Sequence, residues 1–174
     1  VQIFDACTAK WTVSDRTLNL TQLATTKVQD FLPSGSTQPL NLRLPPSSLP
    51  ERASFVFTLS CGLGSASITV TTNGSPVPGE FSVSPSVGRE LADVFTLLAS
   101  LWTDPDLPLT YQFGFISPST SSRLTLQGRS SVTTTSSTLP AGYEANDNQV
   151  NCTLDVYDVF NSMTRTSQVV KVTP

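Results

Sequence analysis

The chain has 174 residues, of which 13% are charged, with a net charge of -3 and no histidine. A charged fraction about half the ~25% of ordinary soluble domains, with no basic excess to neutralise phosphates, excludes sequence-independent nucleic-acid binding. The missing histidine removes the usual general base and a common metal ligand, and most catalytic templates with them.

Val1–Thr8 lacks the charged, apolar, small-residue succession of a signal peptide, and no apolar run is long enough to cross a bilayer. The chain therefore reads as a mature or excised segment of a larger protein that makes no membrane contact itself. Ile3, Cys7, Trp11 and Val13 share one parity and predict the first strand. Gln22–Ser36 is weakly patterned. Leu40, Leu42 and Leu44 alternate with Asn41 and Arg43 and predict another strand. So do Phe55, Phe57, Leu59 and Cys61 against Val56, Thr58 and Ser60, followed by Ile68 and Val70.

Asn73-Gly-Ser-Pro-Val-Pro-Gly79 then breaks the pattern, because two prolines lack donors and restrict the residues before them. Module boundaries are placed here, at 1–75 and 76–174. The first module is short for a sandwich and the second close to the usual ~100 residues. Beyond the break, strands are predicted from Tyr111, Phe113 and Phe115, from Leu124 and Leu126, and from Val170 and Val172. Val150, Cys152, Leu154 and Val156 alternate with Asn151, Thr153 and Asp155, so Cys152 should face inward and Asn151 outward. Short strands with frequent turn signals and almost no helix signal predict an all-β chain of two tandem β-sandwich modules, immunoglobulin-like or fibronectin type III-like.

Three cysteines permit one intramolecular disulfide. Cys7 and Cys61 lie on inward parities of two strands of the first module and are the expected pair, pinning two sheets together, with Cys152 a buried thiol or, if its strand lies at an edge, an intermolecular link. Three reduced thiols packed as small hydrophobes is the alternative. Asn19-Leu-Thr, Asn73-Gly-Ser and Asn151-Cys-Thr are acceptor sequences for N-linked glycan in an exported chain.

Among candidate site residues, Asp104 and Asp106 form the closest carboxylate pair. Pro105 and Pro108 bracket them, which predicts a turn in which Asp caps backbone amides rather than a catalytic pair. Asp104 with Asp106, and separately Glu144, Asn146, Asp147 and Asn148, carry the oxygen donors of a calcium site without its fixed loop spacing, so no metal is assigned. Trp102 and Tyr111 are aromatic enough for a sugar platform, the mark of a carbohydrate-binding module, but their flanks predict core. No cofactor is expected.

The stretch Pro78–Phe115 resembles the receptor for egg jelly (REJ) module of polycystin-family and related cell-surface proteins. It carries Pro-Gly-x-x-x-Val-x-Pro, then Gly88, Leu91 and Phe95-Thr-Leu97. The string Trp102-Thr-Asp104-Pro-Asp106-Leu-Pro108-Leu109-Thr-Tyr111-Gln-Phe113 is its most specific part. Trp11-Thr-Val13, Leu49-Pro50 with Ser54–Phe57, and Val156–Asn161, which resembles a closing strand and its Asp-x-x-Gly turn, extend the likeness over most of the chain. Where the family commonly has a cysteine pair, this chain has Phe81 and Ala99, so family disulfides are not transferable. The resemblance implies an extracellular, non-enzymatic ectodomain segment for adhesion, recognition or spacing. It also implies partners among neighbouring modules, cell-surface or matrix proteins, glycans and a polycystin-type channel.

Overall fold

The computed structural model describes residues 5–35 and 37–174. They form an all-β chain that divides into two compact units, Val1–Asn73 and Gly74–Pro174.

In unit 1, β1 (Cys7–Val13), β2 (Gln29–Leu32), β3 (Ser54–Cys61) and β4 (Gly64–Thr71) make one antiparallel sheet in the order β2-β1-β3-β4. Gly62 takes a φ of +57° in the two-residue connection from β3 to β4, a conformation open to glycine at little cost. The sequence had suggested two facing sheets here. Among the described residues there is one, because Leu40, Leu42 and Leu44 alternate toward the core without joining a ladder. Their segment is tied at Arg43 instead: its N–H donates to Thr26 Oγ1 at 3.0 Å, and its carbonyl accepts from Thr25 N at 2.9 Å and from Thr25 Oγ1 at 3.3 Å. Those leucines and Leu20 of the four-residue helix α1 (Leu20–Leu23) pack with Ala9, Leu32, Phe55 and Phe57 of the sheet. Period-two alternation therefore predicted burial correctly and pairing incorrectly, since an extended segment alternates whether or not it hydrogen-bonds to a neighbour. Ile3, the predicted inward partner of Cys7, lies outside the described residues.

Unit 2 has two sheets. The smaller has the order β10-β7-β5, from β5 (Glu80–Ser84), β7 (Phe95–Ser100) and β10 (Thr134–Ser137). The larger has the order β6-β12-β11-β8-β9, from β6 (Val87–Arg89), β8 (Thr110–Ile116), β9 (Arg123–Ser130), β11 (Gln149–Tyr157) and β12 (Met163–Thr173). Phe95, Leu97 and Ala99 of the first sheet share a core with Phe113, Phe115, Val150, Cys152, Leu154, Val156, Val170 and Val172 of the second. Phe81 stands directly opposite Ala99 in the β5–β7 register, a large ring over a small side chain. No helix among the described residues is long and apolar enough to cross a membrane.

Candidate functional site

The motif from Trp102 to Phe113 enters the core of unit 2 at both ends. Trp102 is 8% exposed and its Nε1–H donates to the Glu80 carbonyl at 3.2 Å. Leu109, Tyr111 and Phe113 are buried in the same core. Trp102 and Tyr111 therefore anchor the sandwich and make no exposed aromatic platform.

Between them, Asp104 Oδ1 accepts from Asp106 N at 2.8 Å, the turn-capping role that two flanking prolines predicted. The tertiary fold adds a residue that sequence spacing does not reveal. The Asp158 turn after β11 packs here, with Val159 N donating to the Asp106 carbonyl at 3.3 Å, so that carboxylate oxygens of Asp104, Asp106 and Asp158 fall within 4.8 Å of one another. Asp158 Oδ1 accepts from Ser162 N at 2.8 Å, and Asn161 takes a φ of +68° at the glycine position of an Asp-x-x-Gly turn, as asparagine tolerates. These three aspartates are the residues best placed to offer oxygens to a hard cation. Asp104 and Asp158 already use oxygens to close turns. The other acidic stretch lies elsewhere: Glu144–Asn146 is a 3-10 turn, and Asp147 pairs with Lys171.

The outer face of the larger sheet departs most from expectation. Asp155 has outward parity, yet it is fully buried, because one arginine from the adjacent strand β12 and one from β9, two strands away across β8, lie over it. Arg165 of β12, its direct cross-strand partner, donates from Nε to Oδ1 at 2.7 Å and from Nη2 to Oδ2 at 3.0 Å. Arg123 of β9 donates from Nη1 to Oδ2 and from Nε to Thr153 Oγ1, the latter at 3.0 Å. Burial by itself would raise the Asp155 pKa. The hydrogen bonds and charges of Arg165 and Arg123 outweigh it and hold the carboxyl below its ordinary value of 3.8. Tyr157 OH also donates to Oδ2, at 3.3 Å, and the Arg129 guanidinium lies 4.4 Å from the centre of the Tyr157 ring. Arg129 continues the network to Thr110 Oγ1 and Asn161 Oδ1, both at 2.6 Å, and to the Asp158 carbonyl at 3.0 Å, tying the face to the carboxylate turn. None of these arginines stands out in sequence. The one available signal is an aspartate on the polar parity of a strong strand.

Cys7 and Cys61 form a disulfide with Cα atoms 5.5 Å apart. It joins β1 to β3, neighbours in one sheet, and so does not pin two sheets together as expected. Cys152 is a buried thiol whose pKa burial pushes up to about 12. The three glycan acceptors differ in setting. Asn19 is exposed at the N-cap of α1, its Oδ1 accepting from Thr21 N at 3.1 Å. Asn73 is half-buried after β4. Asn151 is half-buried on a central strand with its Oδ1 enclosed and without a hydrogen-bond partner, and Thr153 two residues on is buried against Arg123.

Comparison with known proteins gives one family. The model of the REJ domain matches residues 4–174. No curated protein matches. Among solved structures, the crystal structure of domains 4 and 5 of the S-layer protein SbsC is aligned over 95% of this chain and 70% of that chain, at 11% identity and a TM-score of 0.26. A likeness that weak carries no argument about fold or function.

Proposed function

The chain belongs to the REJ domain family, and on that premise we propose that it is a non-catalytic extracellular segment of a larger polycystin-like cell-surface protein. Its role is adhesion, recognition or structural spacing. The observation that carries this reading is the family match over residues 4–174. The Cys7–Cys61 disulfide supports it, since such bonds persist in oxidising compartments. A non-enzymatic role is supported by the absence of histidine and by the turn-closing duties of Asp104 and Asp158. Partners on this reading are neighbouring modules of the ectodomain, cell-surface or matrix proteins or glycans, and a polycystin-type channel.

Export is tested by expressing the chain through a eukaryotic secretory pathway and measuring intact mass. One thiol, Cys152, should be alkylated in denaturant before reduction and three after it, and glycan should be present. A chain retained inside the cell with three free thiols and no glycan would overturn the extracellular reading.

The settings of the acceptors predict where glycan goes. Asn19 exposes its amide and needs only Oδ1 for the cap, whereas a glycan on Asn151 would have to displace side chains on the covered sheet face. Asn19→Gln is expected to remove one glycan's mass and Asn151→Gln to leave the mass distribution unchanged. The reverse result would show that the folded settings do not govern occupancy.

A further inference from the structure

A sheet edge presents a row of unpaired N–H and C=O groups, and proteins guard such rows with charge, proline, bulges or brevity. Nearly every edge here is guarded. β2 has four residues, includes Asp30 and runs into Pro33. β5 starts at Glu80 and lies between Pro78 and Pro85, β6 has three residues and β10 four. β9 is eight residues long but carries Arg123 and Arg129, and its register with β8 shifts between Tyr111 and Gly114.

β4 has none of these devices. It is eight residues long and exposed along almost its whole length, and its register with β3 is unbroken from Ser54 opposite Thr71 to Cys61 opposite Gly64. No charged residue lies between Arg52 and Glu80, and no proline between Pro50 and Pro76.

The open backbone groups can be assigned. Ser14 N donates to the Val56 carbonyl at 2.9 Å and Val56 N to Ser14 Oγ at 3.0 Å, so Val56 and the residues of its parity in β3 bond toward β1. Phe55, Phe57 and Leu59 therefore bond toward β4, where they face Val70, Ile68 and Ala66. Ser65, Ser67, Thr69 and Thr71 are left with N–H and C=O directed to the open side. Ile68 lies on the core-side face yet is 59% exposed, because among the described residues no strand continues the sheet beyond it.

We infer that β4 is a homotypic interface, in which β4 of two copies of this chain pair antiparallel about a twofold axis at Ile68 and join two four-stranded sheets into one. A second copy is the occupant because the strand is self-complementary in this register. Ser65 meets Thr71 of the second copy and Ser67 meets its Thr69, giving about eight backbone hydrogen bonds. On the other face Ile68 meets its own symmetry mate and Ala66 meets Val70 of the second copy, covering the exposed isoleucine. No like charges meet across the axis, and a strand of another protein would find no charge on β4 by which to be selected.

The chain should show a concentration-dependent monomer–dimer equilibrium by sedimentation between micromolar and millimolar protein. Ser67→Pro removes an outward backbone donor and leaves the backbone bonds to β3 in place, losing only the exposed Ser67 Oγ–Thr58 Oγ1 contact at 2.8 Å, so it should weaken the dimer by about tenfold or more while the thermal transition of the folded chain persists. Ile68→Cys should form an interchain disulfide under mild oxidation, with its Cβ about 4.5–5.5 Å from its mate, and Ser65→Cys should not. A chain that stays monomeric at millimolar concentration overturns the inference. So does a dimer that Ser67→Pro leaves intact, or a β4 that binds a different protein and not itself.

Discussion

Asp155→Asn is expected to destabilise unit 2 by about 3–5 kcal/mol, the usual cost of removing one partner from a buried charge cluster. The carboxylate serves two guanidinium groups at once, and an amide cannot neutralise them. Arg123 pays most, because its side chain is 21% exposed and water reaches it poorly. The control is a variant replacing the whole cluster, Asp155→Leu with Arg123→Met and Arg165→Met, which should recover much of the loss because no uncompensated charge is left inside. If Asp155→Asn costs no more than a surface substitution, the cluster is not a stabilising feature of the face.

The same group sets an acid limit. Its folded pKa is depressed below 3.8, so its contribution is complete above that value and is lost as pH falls through the lower, folded value. The stability difference between the parent chain and Asp155→Asn should therefore be flat from neutral pH to about pH 5 and shrink only below 3.8. Paired denaturant titrations at several pH values measure this directly. A difference that narrows already between pH 7 and 5 would assign the effect to another group.

The second large effect concerns the disulfide. Cys7 and Cys61 are separated by 54 positions, and closing a loop of that size restricts the unfolded chain by about 4 kcal/mol. Unit 1 depends on that contribution, since one sheet covered by an irregular leucine-bearing segment is a small core for 73 residues. The double variant Cys7→Ala/Cys61→Ala, which leaves no orphan thiol, is expected to lose about 2–4 kcal/mol and roughly 10–25 °C in the melting of unit 1. Calorimetry of the parent chain with added reductant should reproduce the shift, with unit 2 unaffected because Cys152 has no disulfide to lose. A shift of only a few degrees would mean that the leucine cover, not the bridge, holds the sheet.

Much of the fold was legible in particular residues. The parity of Phe55, Phe57 and Leu59 gave the inward face of β3, that of Val150, Cys152, Leu154 and Val156 gave β11, and the flanks of Trp102 and Tyr111 gave two core anchors. The prolines around Asp106 gave its turn. The short helix α1 is not legible in the sequence because four residues hold barely one helical turn and so no repeat of the ~3.6-residue period, and the same Asn19 that marks a glycan acceptor also caps it.

The amino-acid sequence by itself determined the all-β class, which side chains of most strands face inward, the Cys7–Cys61 pair as the favoured bridge and the family. These follow from alternation, parity and a fixed local string, all short-range properties of the chain. Only the tertiary structure decided that Leu40–Leu44 covers a sheet without joining one, that the disulfide lies within a sheet, and that Asp158 reaches Asp104 and Asp106. It alone placed Arg123 and Arg165 over Asp155 and left the edge of β4 open. Each of these depends on which strand lies beside which, and alternation says which face a residue takes but carries no information about its neighbour across the sheet.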